Sequence, residues 1–138
     1  MSTDRPEPTT QGSLERALGL LGRLEARIML AVWSGQVAEP FAVRDVHAHM
    51  PELAYTTVMT TLRRLADKGL LVADATVGKR AYDYRSAGIP EAFLAAASQR
   101  EAQQVLDRYG DAALAAFAAR LDALTPEQRR RLEELEGR

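Results

Sequence analysis

Between residues 54 and 84 a two-faced helical pattern stops at Gly69 and runs directly into two β-prone segments. Few small folds accommodate that succession. Over 54–68 the apolar residues Tyr55, Val58, Leu62, Leu65 and Ala66 recur at helical spacing and predict an inward stripe. Thr56, Thr60, Arg63 and Asp67 fall on the opposite side, with Thr57 and Arg64 on the flank. Gly69 suits the position just past a helix end, where the backbone turns left-handed. The runs 70–76 and 80–84 flank Val77, Gly78 and Lys79, a turn-forming segment, and so predict a hairpin.

Upstream, residues 13–34 have helical spacing, with Leu21, Leu24, Ile28, Ala31 and Val32 on one side. Gly19 and Gly22 weaken its early part, so the firm helix is expected from about Gly22, with Gly35 as its stop. Phe41 is placed to begin a brief strand. Val43, Val46 and Met50 then predict a helix of about two turns that Pro51 closes. The resulting order is helix, short strand, helix, helix, hairpin. That is a winged helix-turn-helix, in which the second helix of the pair enters the major groove and the hairpin serves as a wing.

The remainder is helical. Pro90 suits a helix start, Gly110 interrupts the pattern, and Leu114, Phe117, Leu121 and Leu124 form a stripe at i, i+3, i+7 and i+10. Thr125-Pro126-Glu127-Gln128 reads as a capping box, and Leu132 and Leu135 continue the last helix. This stripe either folds back as core or pairs with a second chain. Three helices strung after a compact domain have little to pack on, which favours the pair. The expected fold class is therefore mainly α with a small β-hairpin wing (α+β). Residues 1–20 are expected as a flexible lead, 21–86 as the winged helix-turn-helix DNA-binding domain, and 87–138 as a helical dimerisation region.

Composition narrows the function by exclusion. The chain has no cysteine, so disulfides, thiolate metal sites and cysteine nucleophiles are absent. His47 and His49 stand two apart on a helix and do not share a ligand face, so no metal and no cofactor are expected. Trp33 is expected as a core anchor. No Gly-rich phosphate loop, GxSxG or HExxH occurs, and the five serines have no convincing base nearby, so an enzyme is not expected. No apolar run spans a bilayer, and the first residues lack the basic and apolar segments of a secretory signal; the expected location is cytoplasmic.

The formal net charge of −1 does not by itself suggest a nucleic acid. Residues 22–86 carry nine Lys and Arg against seven Asp and Glu, so only the placement of the charge can matter. Threonine hydroxyls can bond base edges or phosphate, threonine methyls can meet thymine, and arginine favours guanine or phosphate. Thr56, Thr57, Thr60, Arg63 and Arg64 are thus candidate DNA-binding residues, although a threonine cap and solvated arginines would fit the same pattern. Lys79 and Arg80, at the expected hairpin tip, can clamp phosphate or simply solvate a turn. Arg44 can touch the DNA backbone or pair with a neighbouring acid.

Three segments together resemble one known family, the penicillinase repressors of the BlaI/MecI type. Residues 21–33 (LGRLEARIMLAVW) are similar to its opening helix. Tyr55 to Leu65, continuing through Lys68-Gly69-Leu70-Leu71, resembles its recognition helix and wing start. Arg80-Ala81-Tyr82-Asp83-Tyr84 resembles its second wing strand. The resemblance is close over about 21–86 and extends to 87–138 only in helical character. It implies a homodimeric repressor on a palindromic operator in double-stranded DNA, held together by the C-terminal helices, here Leu114, Phe117, Leu121, Leu124, Leu132 and Leu135. It also implies base reading by Thr56, Thr57 and Thr60, with phosphate contacts from Arg63 or Arg64 and from Lys79 and Arg80. The family's known release switches use an Asn–Phe cleavage site or C-terminal cysteines; these 138 residues contain neither asparagine nor cysteine. The alternative is a winged-helix protein-interaction module without sequence-specific DNA binding, which a neutral or acidic outer face on the third helix would favour.

Overall fold

The computed structural model describes residues 8–75 and 82–137. Their elements are α1 (Pro8–Gly19), α2 (Arg23–Trp33), α3 (Val43–His49), α4 (Tyr55–Asp67), β1 (Leu71–Ala75), β2 (Tyr82–Ser86), α5 (Pro90–Tyr109), α6 (Asp111–Asp122) and α7 (Pro126–Glu136). The strands pair antiparallel, from Leu71 opposite Ser86 to Ala75 opposite Tyr82. Phe41 adds a single bridge to the sheet: its N–H donates to the Tyr84 carbonyl at 2.9 Å and the Tyr84 N–H returns the bond at 2.7 Å. This is an α+β winged helix-turn-helix. No helix among the described residues is long and apolar enough to cross a membrane.

The chain divides into two compact units, Met1–Ala96 and Ala97–Arg138. The first holds the core. Ile28 and Met29 of α2, Phe41, Val46 of α3, Val58, Leu62 and Leu65 of α4, and Leu70 are its largest fully buried side chains. Each contributes about 1.5–3 kcal/mol of transfer free energy on burial. The Phe41 and Tyr84 rings stack at 6.1 Å, which ties the wing to the helices.

Two glycines end helices as the sequence predicts. Gly69 (φ +83°) follows α4; its N–H donates to the Ala66 carbonyl and the Leu70 N–H to the Leu65 carbonyl. Leu65 and Leu70 are both buried, so the turn that stops the helix also brings apolar partners together. Gly35 (φ +80°) closes α2 with the same pair of bonds, to Val32 and Ala31.

The structure departs from the sequence expectations at several points. Pro8–Gly19 of the expected flexible lead is helical; Ala17 is buried, and Leu18 and Leu21 pack against the core. Tertiary anchoring thus overrides the weak helix propensity of a segment containing Gly12 and Gly19. The unit boundary falls about ten residues later than the expected 86/87. The first turns of α5 belong to the first unit because Phe93 meets Trp33 at 6.3 Å and the Trp33 Nε1–H donates to the Gly88 carbonyl at 2.9 Å. The second wing strand runs on to Ser86.

Among the described residues of the second unit only Ala113 is buried. Its helices hold their own local geometry. The Thr125 hydroxyl accepts from the Gln128 N–H at 3.1 Å while the Gln128 side chain accepts from the Thr125 N–H at 2.9 Å, the expected capping box at the start of α7.

Candidate nucleic-acid interface

The helix-turn-helix is α3, the connection 50–54 and α4. Successive bonds wind the connection: Met50 N–H to the His47 carbonyl, Leu53 N–H to the Met50 carbonyl and Thr57 N–H to the Ala54 carbonyl, each at 3.0 Å. The His47 Nε2 lies 2.8 Å from the Leu53 carbonyl and its ring meets Tyr55 edge-on at 5.7 Å, so this histidine is engaged in holding the turn. Arg27 of α2 pairs with Glu52 in the turn at 2.5 Å. That hydrogen bond holds the exposed Glu52 carboxyl below its ordinary pKa.

α4 presents two faces. Val58, Thr61, Leu62 and Leu65 are buried. Thr56, Thr57, Thr60, Arg63, Arg64 and Asp67 are all exposed, so the structure brings the candidate base-reading residues onto one outward surface. Two arginines against one aspartate leave that surface cationic.

The inward stripe needs correction at two positions. Tyr55 is exposed because it opens the helix and rests its ring on His47 instead of entering the core. Thr61 takes the buried place; its hydroxyl donates to the Thr57 carbonyl at 2.7 Å, which satisfies the group without water.

Arg44 is exposed in the first turn of α3, where the Asp45 carboxylate accepts from the Ala42 N–H at 2.8 Å. Lys79 and Arg80 lie outside the described residues. At the base of the wing Arg85 approaches Asp74 at 3.4 Å, so part of the hairpin's positive charge is already paired. Beneath the wing, burial raises the Tyr84 phenol above its ordinary 10.0, with the Arg63 charge working against that shift.

A further set of residues escaped the sequence reading. A cleft of about 480 Å³ opens beside the outer face of α4, lined by Gly22, Arg23 and Glu25 of the α2 start and by Thr57, Thr60, Arg64 and Lys68, among others. Glu25 is only 5% exposed. Its Oε1 accepts from the Gly22 N–H at 3.0 Å and from the Lys68 Nζ at 2.8 Å. Its Oε2 is buried without a hydrogen-bond partner. Burial raises the carboxyl pKa, but the Lys68 and Gly22 hydrogen bonds and the Lys68 and Arg64 charges outweigh it, so the group sits below its ordinary 4.5. One signal pointed there: Glu25 shares the helical side of Leu21, Ile28 and Val32, where a carboxylate is out of place unless paired.

The C-terminal candidates are placed on the surface. Leu114, Phe117, Leu121 and Leu135 are between 41% and 56% exposed, and Leu124 and Leu132 are half-buried.

Two curated relatives, each named transcriptional regulator BlaI and from Mycobacterium tuberculosis strains CDC 1551 and H37Rv, are 49% identical to this chain over 55 residues. That match covers 38% of this chain and 38% of each relative, so the chain spans well under half the length of the curated relatives it matches. Among solved structures, a mutant MepR from a multidrug-resistant S. aureus clinical isolate aligns over 94% of this chain and 88% of its own, at 15% identity and a TM-score of 0.43. The family model described as penicillinase repressor matches residues 21–136, from just before α2 to the last residue of α7. The chain belongs to the penicillinase repressor family.

Proposed function

We propose that this protein is a DNA-binding transcriptional repressor that acts in the cytoplasm as a homodimer on a dyad-symmetric operator, and that it is not an enzyme. The observation that carries the reading is the outer face of α4. Thr56, Thr57, Thr60, Arg63 and Arg64 are exposed together on a helix whose other side is locked by Val58, Leu62 and Leu65, all fully buried. A rigid helix that offers hydroxyls in its early turns and guanidinium groups further along suits the donor and acceptor pattern of a major groove. The threonines would read bases, and Arg63 or Arg64, Arg44, and Lys79 and Arg80 of the wing would fix the register on phosphates. Family membership supports the same reading.

Exposed apolar side chains of the second unit support the homodimer. Leu114, Phe117, Leu121 and Leu135 stay exposed on helices that bury only Ala113 among their described residues. A second copy of the same stripe, with Leu124 and Leu132, would cover them symmetrically. Two recognition helices related by a two-fold read half-sites about one helical turn of DNA apart, or a multiple of it. The division of labour would then fall near the boundary between the two compact units, with DNA contact in Met1–Ala96 and pairing in Ala97–Arg138.

A fluorescence anisotropy titration against the DNA upstream of its own and neighbouring genes, with unrelated duplex as competitor at moderate salt, tests the reading. Tighter binding to one dyad-symmetric segment is the expected result. Equal affinity for every duplex refutes it.

A further inference from the structure

The Glu25–Lys68 pair joins residues 43 apart in the chain and ties the start of α2 to the end of α4. One carboxylate oxygen serves two donors, capping α2 through the Gly22 N–H while holding the Lys68 ammonium. The other oxygen is buried and unpaired. A buried charge satisfied on one side only is a poor source of stability, and well-packed apolar side chains often serve as well or better. What such a pair can supply is a single geometry, because a carboxylate and an ammonium enforce one relative placement where greasy contacts tolerate several. The place being fixed matters here. Glu25 and Lys68 line the same cleft as Thr57, Thr60 and Arg64, so a shift of α4 against α2 would carry the exposed threonines with it.

We propose that Glu25 and Lys68 form a clamp that sets the orientation in which α4 meets DNA, and that both are positioning residues for operator recognition, not phosphate contacts. This rests on the DNA-binding reading above. It separates Lys68, which caps α4, from Arg63 and Arg64 on the helix itself: the Lys68 ammonium is hydrogen-bonded to Glu25, whereas among the described residues no ion pair holds either guanidinium.

The two roles give opposite signs. If charge near the DNA face were all that mattered, Glu25→Gln would remove a negative charge and strengthen binding. The clamp predicts that it weakens operator binding by about tenfold, the scale on which residues that act through another element change a coupled equilibrium. A phosphate-binding Lys68, replaced by methionine, would weaken all duplexes alike and reduce the log–log salt slope by about 0.9. A clamping Lys68 gives Lys68→Met an unchanged slope and a smaller ratio of operator to unrelated-DNA affinity.

The test is a salt-dependent titration of the full-length wild type, Glu25→Gln, Lys68→Met, Lys68→Arg and the Glu25→Gln/Lys68→Met double variant, on the preferred duplex and on unrelated DNA. Circular dichroism run alongside confirms that each variant is folded, and Lys68, half-exposed, is replaced without opening the core. The expected result is a matching loss of preference in both single variants, no greater loss in the double, and recovery in Lys68→Arg. A wild type without sequence preference overturns the function on which the clamp rests. A wild type that has the preference, with a Glu25→Gln that binds as well or better, or a Lys68→Met with a reduced salt slope, overturns the clamp alone.

Discussion

Replacing both Phe117 and Leu121 of α6 with alanine probes the proposed pairing of two chains. Each side chain is a little under half exposed in the single chain. Full burial of such a group is worth about 1.5–3 kcal/mol, so about 1 kcal/mol of it remains to be gained from a partner. Leu114 and Leu135 are similarly placed. Four such side chains on each of two copies give roughly 8 kcal/mol of gross apolar stabilisation. Association itself costs an estimated 4–15 kcal/mol, comparable to that gain, so a dimer cannot spare much of it. The double variant loses two side chains on each copy, about 4 kcal/mol, which weakens the dimer on the order of 1,000-fold. Sedimentation equilibrium over a concentration series measures this directly. Helical circular dichroism should be unchanged, since both side chains face outward. Operator affinity should fall as well, because one recognition helix then binds without the second. A wild type that is monomeric at micromolar concentration, or a variant that dimerises as well as the wild type, refutes the reasoning.

Other predictions concern separate parts of the molecule. Lys79→Ala and Arg80→Ala should weaken operator and unrelated DNA similarly, each lowering the salt slope by about one in the same titration. Leu62→Ala, at a fully buried position in α4, should cost about 2–5 kcal/mol in urea unfolding and reduce DNA binding only where the domain melts. The folded-state pKa of Glu25 is depressed, so its ionised form adds stability that is fully present above the ordinary value of 4.5 and is lost as pH falls through the lower folded value. Thermal melts of the wild type should therefore drop more steeply below about pH 4.5 than those of Glu25→Gln, and parallel curves would contradict the assignment.

Helix α4 was legible because burial of one face leaves a 3.6-residue signature that Val58, Leu62 and Leu65 carry plainly. Its errors have local causes. Tyr55 fits the stripe by spacing, but it stands in the first turn, where His47 offers a ring to lie on. Thr61 looks polar in sequence, yet a hydroxyl that donates to the carbonyl four residues back can be buried. Gly35 and Gly69 were readable as stops because a left-handed turn selects glycine strongly. α1 was only partly readable as a helix: helical spacing begins at Ser13, but Gly12 and Gly19 argue against a firm helix, and its contacts with the core, through Ala17, Leu18 and the adjoining Leu21, decide for one. The same limit hid the Glu25–Lys68 pair. Sequence places Glu25 on an apolar side, but the partner that makes this tolerable comes from another helix 43 residues on.

The central claim is that the threonine face of α4 reads DNA sequence. Selection of bound duplexes from a random pool, run in parallel for the wild type and for Thr57→Ala/Thr60→Ala, tests it most directly. The account predicts that the wild type enriches a dyad-symmetric motif and that the variant, still folded and still bound to DNA, loses preference at specific positions in each half-site. Failure of the wild type to enrich any motif, or recovery of the same motif at equal strength by the variant, contradicts it.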